Sequence, residues 1–225
     1  MSSLLLRLAG PAQSWGGAQL FPGTVHTERV PTRSGLLGLL ACCLGAPRGQ
    51  WPHWLEDTRI WVRVDRPGDI RSDYQTVNGV PEELAVHFLR SAVAEDPKVR
   101  ISMLSIKTST GGAHNISRRR YLADGEFIVA VEHDDHLDDL VQAVTRPRFM
   151  PFLGRKPFVP GFPFVLGVTD TDAITAVGMV PTTTDRVHLE VYPVVSDRNV
   201  EHVTVTAPVT SRKEQLSWAS SHLSR

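Results

Sequence analysis

The sequence predicts an α+β fold in which strands and helices alternate. Short apolar runs, stretches with helical spacing and separating Gly and Pro residues all occur in turn along the 225 residues. The composition of 41% hydrophobic and 21% charged residues is that of an ordinary globular protein. The predicted order is strand, helix, strand, insertion, strand, helix, strand, which is the ferredoxin-like, or split βαβ, arrangement.

The first strand and the first helix have clear ends. Residues 4–8 form an apolar run closed by the Gly-Pro pair at 10–11, which is typical of a buried strand. Residues 34–44 carry leucines at helical spacing, and Gly45 and Pro47 are expected to end this helix.

The middle of the chain continues the alternation after an interruption. Residues 59–65 alternate apolar and polar side chains, which predicts the second strand. Residues 67–123 are mixed and polar, and we interpret them as an insertion. Residues 127–131 and 162–168 then predict two further strands.

A second helix and a hairpin complete the prediction. Leucines and valines at helical spacing over residues 137–144 predict the helix, which Asp134 or Asp135 is expected to cap. Two alternating segments, 187–191 and 203–205, predict a β-hairpin with its turn around residues 196–199.

The net charge is zero, because 24 Lys and Arg residues balance 24 Asp and Glu residues. The two signs are nevertheless separated along the chain. Residues 97–123 and 146–169 contain cations and no acid, whereas residues 126–145 contain acids and no Lys or Arg. The cations are Lys98, Arg100, Lys107, Arg118, Arg119 and Arg120, then Arg146, Arg148, Arg155 and Lys156. We predict a basic surface and an acidic surface, the latter for solvent or a basic neighbour.

Both basic segments carry groups suited to RNA binding. Their Gly and Ser or Thr residues let backbone N–H groups and hydroxyls reach phosphate oxygens. Aromatic faces on which an unstacked base could rest come from Tyr121, Phe149, Phe152 and Phe158. For either segment alone, a solvated charged surface with phenylalanines in the core is the simpler alternative.

The start of the first predicted helix is a second candidate for anion binding. Arg29 and Arg33 precede the helix N-terminus, where free N–H groups and the helix dipole favour an anion. Gly35 and Gly38 predict a close approach of the helix backbone, either to RNA or to the sheet.

The two cysteines and the absence of a long apolar segment indicate a cytoplasmic protein with no membrane contact. Cys42 and Cys43 are adjacent, so a disulfide framework is implausible. Arg7 interrupts the short apolar run near the N-terminus, which is too short for a signal peptide or a membrane span.

Four motifs occur in a fixed order along the chain. They are Leu6-Arg7-Leu8-Ala9-Gly10-Pro11 with Gln13-Ser14-Trp15-Gly16, Pro31-Thr32-Arg33-Ser34-Gly35-Leu36-Leu37-Gly38-Leu39-Leu40, Asp73-Tyr74-Gln75-Thr76-Val77, and Arg146-Pro147-Arg148 with Pro151-Phe152-Leu153-Gly154-Arg155-Lys156. Together they resemble the Cas-five-type subunits, within the RAMP superfamily, of type I-E CRISPR Cascade surveillance complexes. The resemblance extends to about residue 168 and is loose beyond it.

The resemblance implies both a domain organisation and a function. Residues 1–168 would form a modified ferredoxin-like RAMP domain with a thumb β-hairpin inserted at about 67–123, and residues 169–225 a β-rich C-terminal extension. The protein would be a non-catalytic subunit in antiviral defence that holds the 5′ handle of the CRISPR RNA (crRNA). It would cap the backbone subunits, adjoin the large subunit and meet target DNA indirectly, because the guide RNA reads the target.

The family also implies which residues contact RNA. Mapped motif by motif, the contacts would come from Gln13, Ser14, Trp15, Arg29, Arg33, Ser34, Lys107, Arg118, Arg119, Arg120, Arg148, Gly154, Arg155 and Lys156. The group from Lys107 to Arg120 rests mainly on charge. No catalytic residue, cofactor or metal is expected.

Histidines leave other functions open. His133-Asp134 is the dipeptide of HD-type phosphohydrolases, although acids also suit the start of a helix. A metal-independent endoribonuclease that processes CRISPR repeat RNA needs a general base, a general acid and a cation. The candidates for these roles are His26, Tyr74, Lys107 and His114. A protein-interaction module without RNA affinity is the third possibility.

Overall fold

The computed structural model describes residues 2–16, 24–77, 115–194 and 202–224. Among these residues the strands are β1 (Ser3–Ala9), β2 (Ala12–Gln13), β3 (Thr24–Val25), β4 (Arg59–Arg66), β5 (Asp69–Val77), β6 (Asn115–Ala123), β7 (Glu126–Glu132), β8 (Val165–Thr169), β9 (His188–Pro193) and β10 (Val203–Thr206). The helices are α1 (Arg33–Leu44), α2 (Leu137–Thr145), α3 (Ala173–Met179) and α4 (Arg212–His222), with a 3₁₀ turn at His53–Asp57.

The chain divides into two compact units. The first comprises Met1–Gly17, Thr27–Arg71 and Tyr121–Arg225, and the second Ala18–His26 and Ser72–Arg120. The predicted insertion at residues 67–123 supplies most of the second unit. Its central part, residues 78–114, lies outside the described residues, so the thumb hairpin expected there stays a prediction.

The first unit is built on a six-stranded sheet in the order β10-β9-β4-β7-β1-β8. Each neighbouring pair in this sheet is antiparallel. The first strand of the chain therefore lies between two strands that follow it by more than a hundred residues. All four strands predicted before residue 169 are present, although β8 begins at Val165 and not at residue 162.

The sheet is covered by helices on both faces. Leu4, Leu6 and Leu8 pack in one cluster with residues of α1 and α2, whereas Leu5 packs in another with residues of α3 and α4. Every residue of β1 and β7 is buried. This burial explains why apolar residues do not alternate with polar ones along β1, in which Arg7 alone interrupts the apolar run 4–8, because both of its faces meet the core.

Helix α1 ends where the sequence predicts and begins one residue earlier than predicted, at Arg33. Thr32 caps its start, since the Gly35 N–H donates to the Thr32 hydroxyl at 3.3 Å. Gly45 ends it in the left-handed conformation, with φ of 78°. This conformation is strained for other residues, and glycine adopts it at no steric cost.

Helix α2 begins at Leu137 as predicted, but its N-cap is His136 and not Asp134 or Asp135, so the predicted cap is wrong. Asp134 is bound by the Arg59 guanidinium through two hydrogen bonds of 2.6 and 3.0 Å. The His133 ring accepts the N–H groups of Asp135 and His136 and fixes a turn before the helix. The Asp134 carboxylate is therefore engaged with Arg59 and does not cap the helix.

The C-terminal segment contains helices as well as the predicted hairpin. Strands β9 and β10 pair antiparallel, with Val191 opposite Val203, while the predicted turn lies outside the described residues. The expectation of a β-rich extension is wrong, because α3 and α4 also belong to it. Helix α4 starts with a capping box in which the Ser211 side chain accepts the Glu214 N–H and the Glu214 carboxylate accepts the Ser211 N–H.

Candidate nucleic-acid interface

The connection between α2 and β8, residues 146–164, is hereafter the basic loop. It carries four predicted RNA-contacting residues, namely Arg148, Gly154, Arg155 and Lys156. Although it is irregular, the core holds it near both ends. The Arg148 N–H donates to the Cys43 carbonyl at 2.9 Å, and the Gly161 N–H donates to the Ala9 carbonyl at 2.6 Å. Its course is therefore fixed by α1 and β1.

Gly154 brings the middle of the basic loop against the residues that follow β2. The Ser14 N–H donates to the Leu153 carbonyl at 2.9 Å. Gly154 has φ of 84°, and a Cβ atom there would lie 2.7 Å from the Ser14 carbonyl carbon and closer still to its oxygen. Glycine is therefore required at this position both for its conformation and for the close approach.

Gln13 and Trp15 flank Ser14 in the sequence, and both are fully buried. The Trp15 indole N–H donates to the Gln13 side-chain oxygen at 3.1 Å, and the Gln13 amide donates to the Gly125 carbonyl at 2.7 Å. A Cβ at Gly35 would lie 2.9 Å from the Trp15 ring. The close approach at Gly35 is therefore to this indole and not to the sheet, and Trp15 packs in the same buried cluster as Leu153 of the basic loop.

The solvent-facing part of the basic loop combines cations with apolar side chains. Arg148 and Lys156 are exposed, and the half-buried Arg155 places its guanidinium carbon 5.6 Å from the Phe158 ring centroid. Large exposed apolar side chains on the same loop are Phe149, Met150, Val159 and Phe162. Such a surface can attract phosphates and also accept unstacked bases.

Arg33 is occupied within the protein. Its guanidinium donates to the backbone carbonyls of Thr58 at 3.0 Å and Val194 at 3.1 Å, and also to that of Glu56. It therefore joins the start of α1 to the 3₁₀ turn and to the end of β9. These contacts within the protein explain why an arginine stands at this position of the motif.

Arg33 and Arg148, two of the predicted contacts in the first unit, lie at opposite ends of α1. Arg33 is the first residue of this helix, with Arg29 and Ser34 exposed beside it. The Arg148 side chain packs at the other end, where a Cβ on Gly45 would lie 2.8 Å from its Cγ. A twelve-residue helix is about 18 Å long. Gly154 of the basic loop instead approaches Ser14, next to the Trp15 ring that packs on Gly35 near the start of the helix.

Arg118, Arg119 and Arg120 are three consecutive exposed residues of β6 and belong to the second unit. Successive side chains on a strand point to opposite faces, so these arginines cannot act as one cluster. Lys107, predicted to act with them, lies outside the described residues.

The predicted acidic surface is smaller than the sequence suggests, because Glu126 is buried and fully paired. Arg7 donates to its carboxylate at 2.8 Å and Arg212 at 2.5 and 2.7 Å, while Arg66 lies 3.6 Å away. Burial raises the pKa of Glu126, but the hydrogen bonds from Arg7 and Arg212 outweigh burial and leave the pKa below its ordinary value.

Glu132 is likewise buried, and its carboxylate accepts the Ser3 hydroxyl at 3.1 Å and the Ala173 N–H at 2.7 Å. The acids that remain exposed are Asp134, Asp135, Asp138 and Asp139. Only this group at the start of α2 corresponds to the acidic surface predicted from the sequence.

His133 has a structural role in the turn before α2. Its Nδ1 accepts the N–H groups of Asp135 at 3.1 Å and His136 at 3.0 Å, so its Nε2 carries the proton and donates to the Trp54 carbonyl at 3.0 Å. Among the described residues, no group of three or more His, Cys, Asp or Glu side chains is arranged to hold a metal ion.

The residues considered for ribonuclease chemistry are only partly described. His26 and Tyr74 both belong to the second unit, whereas Lys107 and His114 lie outside the described residues.

The described parts of the chain contain no helix long and apolar enough to span a membrane.

The fold and this surface define the class of the protein. It is an α/β protein with an antiparallel sheet, and its basic loop, held to the core by backbone hydrogen bonds, presents cations and aromatic rings. The comparison with known families is more specific. The chain belongs to the Cas5 family of CRISPR-associated proteins, since the model of that family, described as CRISPR-associated protein (Cas_Cas5), matches residues 3–219.

Individual relatives agree with this assignment. The sequence is 37% identical over 174 residues, or 74% of this chain and 70% of the relative, to the CRISPR system Cascade subunit CasD of Escherichia coli (strain K12). The fold is similar to a chain of a CRISPR RNA-guided surveillance complex, with TM-score 0.71, 27% identity and coverage of 97% and 99% of the two chains. A structure described as that of a Cas protein matches with TM-score 0.61, 25% identity and coverage of 92% and 98%. The family resemblance seen in the motifs is confirmed.

Proposed function

We propose that this chain is a non-catalytic crRNA-binding subunit of a Cascade-type surveillance complex, in which it holds the 5′ handle of the crRNA. The observation that carries the proposal is the basic loop, whose exposed Arg148 and Lys156 are held in place by backbone bonds to α1 and β1. The likeness to a Cascade subunit and to a chain of an RNA-guided complex supports the same ligand.

The proposal extends to the architecture and the partners. The order β4-β7-β1-β8 supports a ferredoxin-like core, with a thumb in the insertion and a domain that runs to about residue 168. The subunit would cap the backbone subunits and adjoin the large subunit in the cytoplasm, and it would meet target DNA only through the guide.

The roles of the contact residues divide by burial. Arg148, Gly154, Arg155 and Lys156 would provide the contacts of the basic loop. Buried Gln13 and Trp15 would act by positioning this loop, with Ser14 fixing its register through Leu153. Arg33 would position the start of α1, where Arg29 and Ser34 are exposed.

The test is a salt titration of RNA binding with matched variants. The double variant Arg148→Ala/Lys156→Ala removes two exposed cations from the basic loop. Arg186→Ala/Lys213→Ala removes two exposed cations from elsewhere on the first unit and is the control. For two lost contacts to single-stranded RNA, the slope of log affinity against log salt is expected to fall by about 1.4.

Two results would contradict the proposal. If both double variants change the slope equally, the basic loop is not the RNA site. If the purified protein cleaves repeat RNA in EDTA, and changing His26 or His114 abolishes cleavage, the endoribonuclease alternative replaces the non-catalytic role.

A further inference from the structure

Strands β3 and β5 both pair with β6 in a second sheet, and the part of this sheet that belongs to the second unit carries an exposed aromatic side chain beside a cation. Tyr74 on β5 is 56% exposed. The guanidinium carbon of Arg118, on the neighbouring strand β6, lies 6.0 Å from the Tyr74 ring centroid. The two side chains therefore share one face of the sheet, and both face solvent.

The alternation of side chains along the strands assigns the remaining residues to two faces. Arg120 lies on the same face as Arg118, and so does Thr24, which is directly opposite Arg118 in the pairing of β3 with β6. We name this the tyrosine face. It consists of Thr24, Ser72, Tyr74, Arg118 and Arg120, with no acid among its described residues.

The opposite face has a different character. Asp73 and Gln75 are joined there by a hydrogen bond of 2.6 Å, and Arg119 lies near Ser117 at 3.5 Å. Val25, opposite Arg119 in the register, adds a 39% exposed apolar side chain. We name this the aspartate face. A phosphate would meet a carboxylate here, whereas the described residues of the tyrosine face include none.

We propose that Tyr74 and Arg118 form a stacking platform for one unpaired base of the bound RNA, and that Arg118, and not Arg119, faces the phosphates. The inference rests on the proposed function, because it assumes that RNA binds this chain. Single-stranded RNA is the ligand that combines both requirements, since it offers unstacked bases to an aromatic ring and phosphates to cations on one face.

The alternative is that Tyr74 and Arg118 form only a cross-strand pair that stabilises the sheet. The alternative predicts that variants of Tyr74 and Arg118 bind RNA with unchanged affinity, whereas the platform predicts a loss, and salt dependence then separates the role of the ring from that of the cation. Stacking of a base on a ring releases no counterions, whereas loss of a phosphate contact changes the salt slope. An aromatic contact should therefore change affinity at constant slope, and a cation should change the slope.

The experiment measures binding of the full chain to single-stranded oligoadenylate that contains 2-aminopurine, at several salt concentrations. Tyr74→Leu is expected to weaken binding about tenfold with an unchanged slope, within the range for loss of one base–aromatic stack. Tyr74→Phe keeps the ring and is expected to bind like the wild type. Quenching of 2-aminopurine fluorescence should be lost in Tyr74→Leu at saturating protein.

Arg118→Ala and Arg119→Ala form the second matched pair. Arg118→Ala is expected to lower the salt slope by about 0.7, the value for one phosphate contact on a single strand, and Arg119→Ala to leave it unchanged. Equal slopes for these two variants would refute the assignment of faces.

Base stacking is refuted if Tyr74→Leu binds RNA with wild-type affinity, or if Tyr74→Leu and Tyr74→Phe lose RNA affinity equally. The proposed function stands in either case. If the wild-type protein binds no RNA, both fall together. The variants are expected to have the same urea unfolding midpoint as the wild type, because both side chains are exposed.

Discussion

Replacing Gly154 by alanine should both destabilise the protein and weaken RNA binding. A non-glycine residue at φ of 84° costs about 1–3 kcal/mol. The new Cβ would lie 2.7 Å from the Ser14 carbonyl carbon, below the 3.0 Å that real Cβ atoms essentially always exceed, so the backbones must separate. Separation would break the 2.9 Å hydrogen bond from Ser14 to Leu153, worth about 1 kcal/mol. The expected loss of stability is about 2–4 kcal/mol.

Urea unfolding followed by circular dichroism measures this loss. A slope of about 2 kcal/mol per molar urea turns it into a midpoint lowered by roughly 1–2 M. Gly16→Ala is the matched control, because a Cβ there has no neighbour within 4 Å. Gly154→Ala should also lower RNA affinity, since the basic loop moves as a whole. If its midpoint and affinity equal those of Gly16→Ala, the proposed coupling between loop and core is wrong.

Three further variants test the ionic and capping contacts. Glu126→Gln should lower stability by about 3 kcal/mol, because it leaves the buried Arg7 without its counter-charge. Since the pKa of Glu126 is lowered by folding, its contribution is present above its ordinary value of 4.5 and is lost as pH falls through the folded value. Arg33→Met should destabilise by about 2–3 kcal/mol with an unchanged RNA salt slope, because its guanidinium binds carbonyls. Ser211→Ala should cost about 1 kcal/mol by removing the cap of α4. Chemical denaturation checks all three, for Glu126→Gln at several pH values.

Exposed residues of the same types provide the controls, namely Glu56→Gln, Arg48→Met and Ser217→Ala. A stability difference between Glu126→Gln and wild type that does not shrink on acidification would show that the carboxylate is not the stabilising group. A lowered slope of log RNA affinity against log salt in Arg33→Met would show that Arg33 contacts RNA. Equal midpoints for Ser211→Ala and Ser217→Ala would mean that α4 needs no cap.

Local signals predicted the central elements well. The apolar run of β1 and the Gly45 end of α1 are properties of a few neighbouring residues, and the structure confirms both. The paired segments of the C-terminal hairpin were likewise predictable from alternation. Such features depend on backbone conformation and on the period of burial, which a single sequence contains.

Contacts between distant residues were not predictable in the same way. Arg63 occupies a position that alternation assigns to the polar face of β4, yet it is fully buried, because α3 covers that face. It pairs with Asp65 at 2.7 Å and donates to the Val180 carbonyl at 2.6 Å, near the end of α3. The burial of Trp15 is similar, since it depends on the packing of α1.

One missed element did have a local signal. Ser211 and Glu214 have the spacing of a capping box and stand just before the apolar residues of α4. The polar composition of the last residues concealed this helix, which buries only Gln215 and Ala219. A search for capping boxes would have found its start.

The position of β1 in the sheet has a consequence for the order of folding during synthesis. Both of its neighbours, β7 and β8, are made more than a hundred residues later. Until residue 169 has left the ribosome, the leucines of β1 lack their partners, and they can adhere to other chains or to a chaperone. Such distant pairing also slows folding, because a long loop must close before the contact forms. Nascent chains that end before β8 should therefore be aggregation-prone.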